Sequence, residues 1–406
     1  MTPMGATPSA PPAPIVSGAV DLLLDYCRIS SPSGDRSGLE AMGRRLGDDL
    51  GRLGLHSELI DEVDPDGNRL PVLVARGSDT ERDPILLIGH LDTVLPAVEP
   101  QIDGDRLRGT GALDMKGGFA ALVGALRLAH EQGIPLPNNL MLVAVPDEEV
   151  GGPISEATVR RWGAEAGTVL VLEPGERRGE AETLVTGRRG LSGWRLEARG
   201  RASHSGLAYW DGRSALTAAA EWATRAQALS VRGSGVLVNV GRIVGGDAEL
   251  VEDLEEHHSL VGTNRRLNIV PDRCVAEGEV RFFSWDQRER TLETLRGFSR
   301  EISNRTGVSL DLDVFETIPP FDPDGPGAVL AERAVASASR FGWRLELEPD
   351  RGGVSFPNLL PDPSRLPVLD GIGPVGDGMH TREEFLCLRS LERRIGLLAD
   401  LLTSLA

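Results

Sequence analysis

At 406 residues the chain is long enough for two domains with their own cores, and a hydrophobic content of 40% is that of a globular protein. Its 61 acidic and 43 basic residues give a formal net charge of −18, spread along the chain, which argues against a nucleic-acid partner because phosphates would be repelled. No apolar run reaches the length of a bilayer span, so no membrane partner is expected. The opening MTPMGATPSAPPAP has neither a basic n-region nor an apolar h-region; residues 1–14 read as a disordered tail, and a cytoplasmic location is the expectation. Cys27, Cys274 and Cys387 are isolated and odd in number, as suits buried reduced thiols.

Residues 15–27 have helical periodicity, and the turn SSPSGD (30–35) leads into a second helix ending near Leu53. Strands are expected at 56–60 and 71–76, joined by the turn DPDG (64–67). That turn has the look of a calcium loop, but Leu73 stands where the closing Glu would be, so it is read as a plain turn. The apolar run from Ile85 then ends at His90. Asp92 follows two residues later, and a Gly-rich loop delivers Asp114 at the threshold of a helix over 116–131. A neutral nitrogen donor and an anionic oxygen donor able to bridge two cations, both at element ends, read as half of a two-metal site. The loop has no GxGxxG and no GKS or GKT, which makes a nucleotide site a poor reading.

The other half is sought downstream. The run NLMLVAV (139–145) has the pattern of a strand covered on both faces and ends in Pro146-Asp147-Glu148-Glu149. A helix over 154–162 and the strand TVLVL (168–172) follow, and this strand also ends in an acid, Glu173. Alternating helices and apolar strands that end in His90, Glu148–Glu149 and Glu173 imply an α/β sheet with ligands at the carboxyl ends of the strands.

From about Gly190 the texture changes. A strand at 191–199, a helix at 212–229, strands at 236–244 and 274–284, a helix at 286–306 and a strand at 308–315 give the split βαβ order of a ferredoxin-like α+β unit. The acidic stretch 245–263 interrupts its strands and is read as a solvated loop, in which His257 and His258 are the remaining ligand candidates. Helix–strand alternation resumes with a helix at 327–341 and a strand at 344–348. A loop bearing Gly352 and Gly353, a short strand at 367–371, the turn GDGMHT (376–381) and a helix at 388–405 complete the chain. The boundaries are therefore 15–189 plus 318–406 for one domain and 190–317 for an inserted one.

Seven motifs carry a family resemblance: GHLDTV (89–94), GALDMKGG (111–118), PDEEVGG (146–152), LEPG (172–175), GRASHSG (200–206), LNIVPD (267–272) and GMHT (378–381). In order and over nearly the whole chain, they resemble the M20 metallopeptidases, the family of glutamate carboxypeptidase, succinyl-diaminopimelate desuccinylase, acetylornithine deacetylase and aminoacylase. The resemblance implies a catalytic α/β domain with a mixed central sheet, carrying an inserted dimerisation or lid domain. It also implies two divalent metal ions, zinc first and cobalt or manganese next, with Asp114 bridging, His90 and Glu173 on one metal, and Glu149 and His380 on the other. Asp92 would hold the His90 ring, and Glu148 would be the general base for a metal-bridged hydroxide. His204 would contact the substrate carbonyl across a homodimer, Asn268 and Arg281 would bind a terminal carboxylate, and Gly352 and Gly353 would lie at the substrate pocket. The implied activity is cleavage of the amide of an N-acyl amino acid or short peptide with a free carboxylate. Its alternatives are a biosynthetic deacylase of the same chemistry and a silent ligand-binding protein on this scaffold. Phe356 after Ser355, and Tyr209, Trp210, Asp211 and Arg213 beyond SHSG, depart from the family pattern; none is an implied ligand.

Overall fold

The structure is a computed structural model that describes residues 8–257 and 268–406. The chain opens with helices α1 (Ala13–Arg28) and α2 (Arg36–Gly51) and the hairpin β1 (His56–Val63) and β2 (Arg69–Arg76). β3 (Ile85–His90) leads through a short hairpin, β4 (Gln101–Asp103) and β5 (Arg106–Arg108), to α3 (Lys116–Glu131). β6 (Leu140–Val145), α4 (Pro153–Gly163) and β7 (Thr168–Val171) follow, then a second hairpin of β8 (Arg177–Arg178) and β9 (Ala181–Val185). Next come β10 (Gly190–Arg199), α5 (Ala215–Gln227), β11 (Leu237–Gly246), α6 (Ala248–His257), β12 (Arg273–Phe282), α7 (Trp285–Thr306) and β13 (Ser309–Ile318). The chain closes with α8 (Ala328–Arg340), β14 (Leu345–Glu348), the single turn α9 (Phe356–Leu359), β15 (Val368–Leu369), β16 (Gly376–Asp377), β17 (Phe385–Cys387) and α10 (Leu388–Ser404).

Two compact units result, one of Arg189–Phe321 and one of the segments before and after it. In the first-named unit the sheet order is β11-β12-β10-β13, with every described pairing antiparallel, the ferredoxin-like arrangement that the split βαβ order implies. Its core is built on Trp194 and Trp222, both fully buried with ring centroids 5.0 Å apart, and the Trp222 indole donates to the Leu295 carbonyl at 3.1 Å. The acidic stretch expected as a loop is a correction. β11 runs on to Gly246, and α6 begins where Asp247 accepts from the Leu250 amide at 3.0 Å; Val251 is buried, while Glu249 and Glu252 are exposed. His257 ends that helix, and His258 lies outside the described residues.

The larger unit holds a six-stranded mixed sheet of order β1-β2-β6-β3-β7-β15. β6, β3, β7 and β15 run parallel, and β2 is antiparallel to β6. Every residue of β3, β6 and β7 is buried, which is why these strands read as unbroken apolar runs rather than alternations. The register pairs His90 with Val145 and Ile88 with Val171, so the three strands stop at one edge of the sheet with an imidazole or acids just beyond. α3 lies almost wholly buried against this sheet. Gly118 lets it approach, since a Cβ there would stand 2.3 Å from the Leu172 carbonyl, next to Glu173. Of the stretch expected as a tail, residues 1–7 lie outside the described residues. Ser9 exchanges hydrogen bonds with Gln132 at 3.0 and 2.7 Å, and α1 already starts at Ala13 because Ile15, Ala19, Leu22 and Leu23 are buried in the core. Among the described residues no helix is long and apolar enough to cross a membrane, and the three cysteines are buried free thiols.

The C-terminal helix is locked to the sheet region by a buried ion pair. Glu182 on β9 accepts from Ser390 Oγ (2.8 Å), Arg393 (2.9 Å) and Arg394 Nε (3.0 Å), while the rest of the Arg394 fork donates to the carbonyls of Gly371 and Thr183. Glu182 and Arg394 are both fully buried, so removing one partner strands the other's charge. Glu182→Ala is therefore expected to cost about 3–5 kcal/mol of unfolding free energy, measured by chemical denaturation; a cost below about 1 kcal/mol would mean that water reaches the guanidinium.

Candidate metal centre

The site is assembled where the parallel strands end. His90, the last residue of β3, is buried, and its ring is fixed from both sides. Nδ1 lies 3.0 Å from the Asp92 carbonyl and 3.3 Å from Asp92 Oδ1, while Nε2 lies 3.1 Å from Asp114 Oδ1 and 3.6 Å from Glu173 Oε1. Asp114 arrives on the loop before α3, whose peptide Asp114–Met115 is cis. Its other oxygen, Oδ2, is 3.3 Å from His380 Nε2, which in turn is 3.0 Å from Glu149 Oε2. Each oxygen of one carboxylate thus faces a different imidazole, and each imidazole has its own glutamate. Glu148 joins the same cluster: ligand atoms of His90, Glu148 and Glu173 lie within 4.8 Å of one another, as do those of His90, Asp114 and Glu149.

Two acids hold this geometry without facing its centre. Asp92 accepts from Ser33 Oγ (2.7 Å) and from the backbone amides of Glu148 (3.3 Å) and Glu149 (3.2 Å), so the residue beside His90 also fixes where the paired glutamates stand. Asp147 accepts from Ile154 N (3.0 Å), Ser155 N (2.9 Å) and Ser155 Oγ (2.5 Å) at the start of α4, which turns the acidic segment sharply off the end of β6. His380 is presented differently. It has φ 64°, a left-handed conformation unusual for a non-glycine residue, in a turn closed by the Thr381 amide and hydroxyl on the Gly378 carbonyl. Its side chain is 55% exposed where that of His90 is 0%, so the site opens on the His380 side.

Without cations this crowding of carboxylates is electrostatically unfavourable. Burial pushes Glu149 up to about 7, and burial together with neighbouring acids raises Glu148 and Glu173. Burial would raise Asp114 too, but the hydrogen bonds of His380 and His90 hold it low. His380 is raised to about 9, chiefly by its hydrogen bond to Asp114. His90 is raised as well, burial being outweighed by its bonds to Asp114 and Asp92. Hard oxygen and borderline imidazole donors in two groups around a shared aspartate fit a pair of divalent cations, which would relieve the acids and displace the imidazole protons.

The cluster lines an open cavity of about 290 Å³ together with Arg188, Arg351, Gly352, Ser355 and Met379. A larger groove of about 810 Å³, between α2 and β1, contains none of the clustered residues. Gly352 is in the cavity wall, and Gly353, at φ 87°, receives a long bond from Arg188 at 3.5 Å. Arg188 is also tied to Asp370 at 2.6 Å, and Arg351 to Glu176 at 2.7 Å. The sequence reading missed both arginines, and only the adjacency of Arg351 to the Gly352–Gly353 pair pointed to either.

His204, Asn268 and Arg281 belong to the other unit. His204 Nδ1 accepts from the amides of Gly206 (3.1 Å) and Leu207 (3.2 Å), so its hydrogen is on Nε2, which lies 3.5 Å from the Asn268 side-chain amide. The structure thus brings those two together at an exposed turn. Arg281, on β12, has its guanidinium on Glu279 at 2.8 and 3.2 Å.

Acids and imidazoles converging beyond the carboxyl ends of parallel strands define a metallohydrolase type of site. The model of Peptidase family M20/M25/M40 matches residues 86–404. Carboxypeptidase G2 of Pseudomonas sp. strain RS-16 is 25% identical over 93% of this chain and 86% of its own length. Succinyl-diaminopimelate desuccinylase of Rhodospirillum centenum is 28% identical over 84% and 85%. Among solved structures, aminopeptidase PepT from Bacillus cereus superposes with a TM-score of 0.69 at 22% identity, over 96% of this chain and 98% of that one. The Bacillus subtilis YXEP protein, described as a dinuclear metal-binding peptidase, gives 0.63 at 14% identity over 97% and 99%. The chain belongs to peptidase family M20/M25/M40 and is a hydrolase of the metallopeptidase class.

The shifted groups set a pH dependence for the metal-free protein. Glu149 rises from 4.5 to about 7, so its folded state holds a proton that the unfolded chain has lost, and stability falls as pH rises across that window. His380, raised from 6.5 to about 9, contributes stability that is complete below 6.5 and lost as pH rises through 9. Both have the same sign. The melting temperature of chelator-treated protein is therefore expected to decline from pH 5 to pH 8, above which Lys116, lowered to about 8 by burial, contributes with the opposite sign; saturating zinc should abolish the decline, as read by calorimetry, and a flat metal-free profile over pH 5 to 8 would contradict this account.

Proposed function

We propose that the protein is a metal-dependent amidohydrolase that cleaves the amide bond of an N-acyl amino acid or short peptide bearing a free α-carboxylate. The observation that carries this reading is the Asp114 carboxylate, each of whose oxygens meets a separate imidazole–glutamate pair, with Glu148 alongside. In this reading Asp114, His90 and Glu173 hold one divalent cation and Asp114, His380 and Glu149 the other, zinc being the first candidate and cobalt or manganese the next. Bound cations supply an acidified water and a polarised scissile carbonyl.

The remaining work falls to the chain's own residues. Glu148 takes the proton of the attacking water and returns it to the departing nitrogen; burial raises its pKa towards the range in which a carboxylate can do both. Asp92 keeps the His90 ring and the Glu148 backbone in register. His204, with its hydrogen on Nε2, donates to the oxyanion from the second subunit of a homodimer, Asn268 and Arg281 bind the α-carboxylate, and Gly352 and Gly353 line the pocket. The relatives' names divide between a carboxypeptidase and a desuccinylase, so a biosynthetic deacylase of the same chemistry is the second reading. A cytoplasmic enzyme is the setting we infer.

Glu148→Ala is expected to lower kcat by about 10²–10⁴ without altering metal content, measured by elemental analysis beside turnover of a panel of N-acyl amino acids and dipeptides. Unchanged turnover would sink the mechanism. Two bound metals with no hydrolysis of any panel member by the wild type would favour a silent binding protein. For the dimer, light scattering should return about twice the 43.5 kDa chain mass. Mixing inactive Glu148→Ala and His204→Ala chains should restore activity if His204 acts across the interface, whereas mixtures as inactive as their parents would rule that out.

A further inference from the structure

One buried acid near the centre has no part in the scheme above. Glu384 is 4% exposed, and its carboxylate is engaged by the loop that carries Asp114. Oε2 accepts from the Gly111 amide at 2.9 Å, and Oε1 from the amides of Leu113 (2.8 Å) and Asp114 (3.0 Å). The Glu384 carbonyl accepts a fourth amide, that of Gly109, at 3.2 Å. Strand pairing explains how an acid 270 residues away arrives there: β17 pairs antiparallel with β5, setting Phe385 opposite Arg108 and so Glu384 beside the start of the loop.

We propose that Glu384 is a positioning residue for the metal centre, its carboxylate standing in for secondary structure along the 109–114 loop and thereby fixing the Asp114 side chain between His90 and His380. A loop of this kind has amides with no strand or helix partner, and each buried unmet amide would cost about 1–3 kcal/mol. A carboxylate suits this task because both of its oxygens accept and it carries no hydrogen of its own. The same short segment also delivers His380, four residues earlier, and the Glu384 amide donates to the Thr381 carbonyl at 3.4 Å. Segment 380–384 therefore sets both Asp114 and the imidazole that faces Asp114 Oδ2. This inference rests on the reading of Asp114 as the shared ligand.

Glu384→Gln is the informative variant because it keeps shape and volume but has one acceptor oxygen. Whichever way the amide is turned, an NH₂ group faces at least one backbone N–H, so the loop loses part of its support while the fold is kept. We expect Glu384→Gln to retain the wild-type far-UV spectrum and cooperative melting, to weaken zinc binding about 10–100-fold in competition with a chromophoric chelator, and to change the visible absorption of the cobalt(II)-substituted protein. Amide hydrogen exchange at Gly111, Leu113 and Asp114 in the metal-free protein should accelerate at least tenfold. Glu384→Asp, which restores a carboxylate one methylene short, should recover part of both. Wild-type zinc affinity, an unaltered cobalt spectrum and unchanged exchange in Glu384→Gln would overturn the proposal. If the wild type itself binds no cation, the metal reading fails separately, and the exchange rates decide whether Glu384 clamps the loop.

Discussion

Everything in the larger unit converges on keeping one carboxylate, Asp114, between two imidazoles that come from opposite ends of the chain. His90 is placed by the sheet, as the terminal residue of a fully buried central strand. His380 is placed by a turn in a left-handed backbone conformation, fixed through the β16–β17 and β17–β5 pairings. Neither device tolerates much displacement of Asp114, because a carboxylate offers only two oxygens and each is already directed at one ring. The surrounding hydrogen bonds make sense as consequences. Asp92 immobilises the glutamates beside His90, Asp147 immobilises the turn that carries them, and Ser33 in turn holds Asp92.

Such a concentration of acids carries an electrostatic cost, and the fold distributes it instead of avoiding it. Burial drives Glu173, Glu148 and Glu149 towards their neutral forms, Glu149 to about 7, while the imidazoles keep Asp114 ionised. Groups whose pKa values are pushed apart by different surroundings are suited to different tasks. In the proposed scheme Glu148, which is in no ion pair with either imidazole, is the carboxylate that exchanges protons. The glutamate outside the cluster, Glu384, is different again: burial raises it, but three backbone amides favour its charged form. The acid proposed to be shared by the cations and the acid that accepts backbone amides thus meet at one short loop, although they are 270 residues apart in sequence.

The parts of this site that could be read from the sequence are those in which chemistry coincides with a change of element. An apolar run stopping at His90, another stopping at Glu148–Glu149 and a third at Glu173 are local signals, because a strand buried on both faces has no reason to end in an acid unless something lies at its end. His380 carried a weaker signal, its Gly-rich turn. Glu384 carried none, since REE before an apolar strand looks like any solvated segment, and its partners at 111–114 are some 270 residues away. The short pairings that bring it there, β4 with β5 and β5 with β17, are three residues long and too brief for periodicity to reveal. The same holds for β8, which is two residues long and pairs with β9. For α6 the reading was misled by charge: Glu249 and its acidic neighbours suit the first turn of a helix capped by Asp247 as well as they suit a loop, and the burial of Val251 decides the matter.

In the proposed scheme the two units divide the work of hydrolysis along a chemical line. The mixed sheet supplies rigid strand ends, which suit ligands that must be held within a fraction of an ångström. The ferredoxin-like unit supplies exposed groups on a turn, His204 and Asn268, of which His204 has its tautomer already set by two backbone amides. A donor whose hydrogen position is fixed by its own backbone remains a donor wherever the unit carrying it is placed, and does not need the strand-end rigidity that His90 requires. Tyr209 and Trp210, just beyond His204, are exposed as well, so that turn presents apolar rings beside its imidazole.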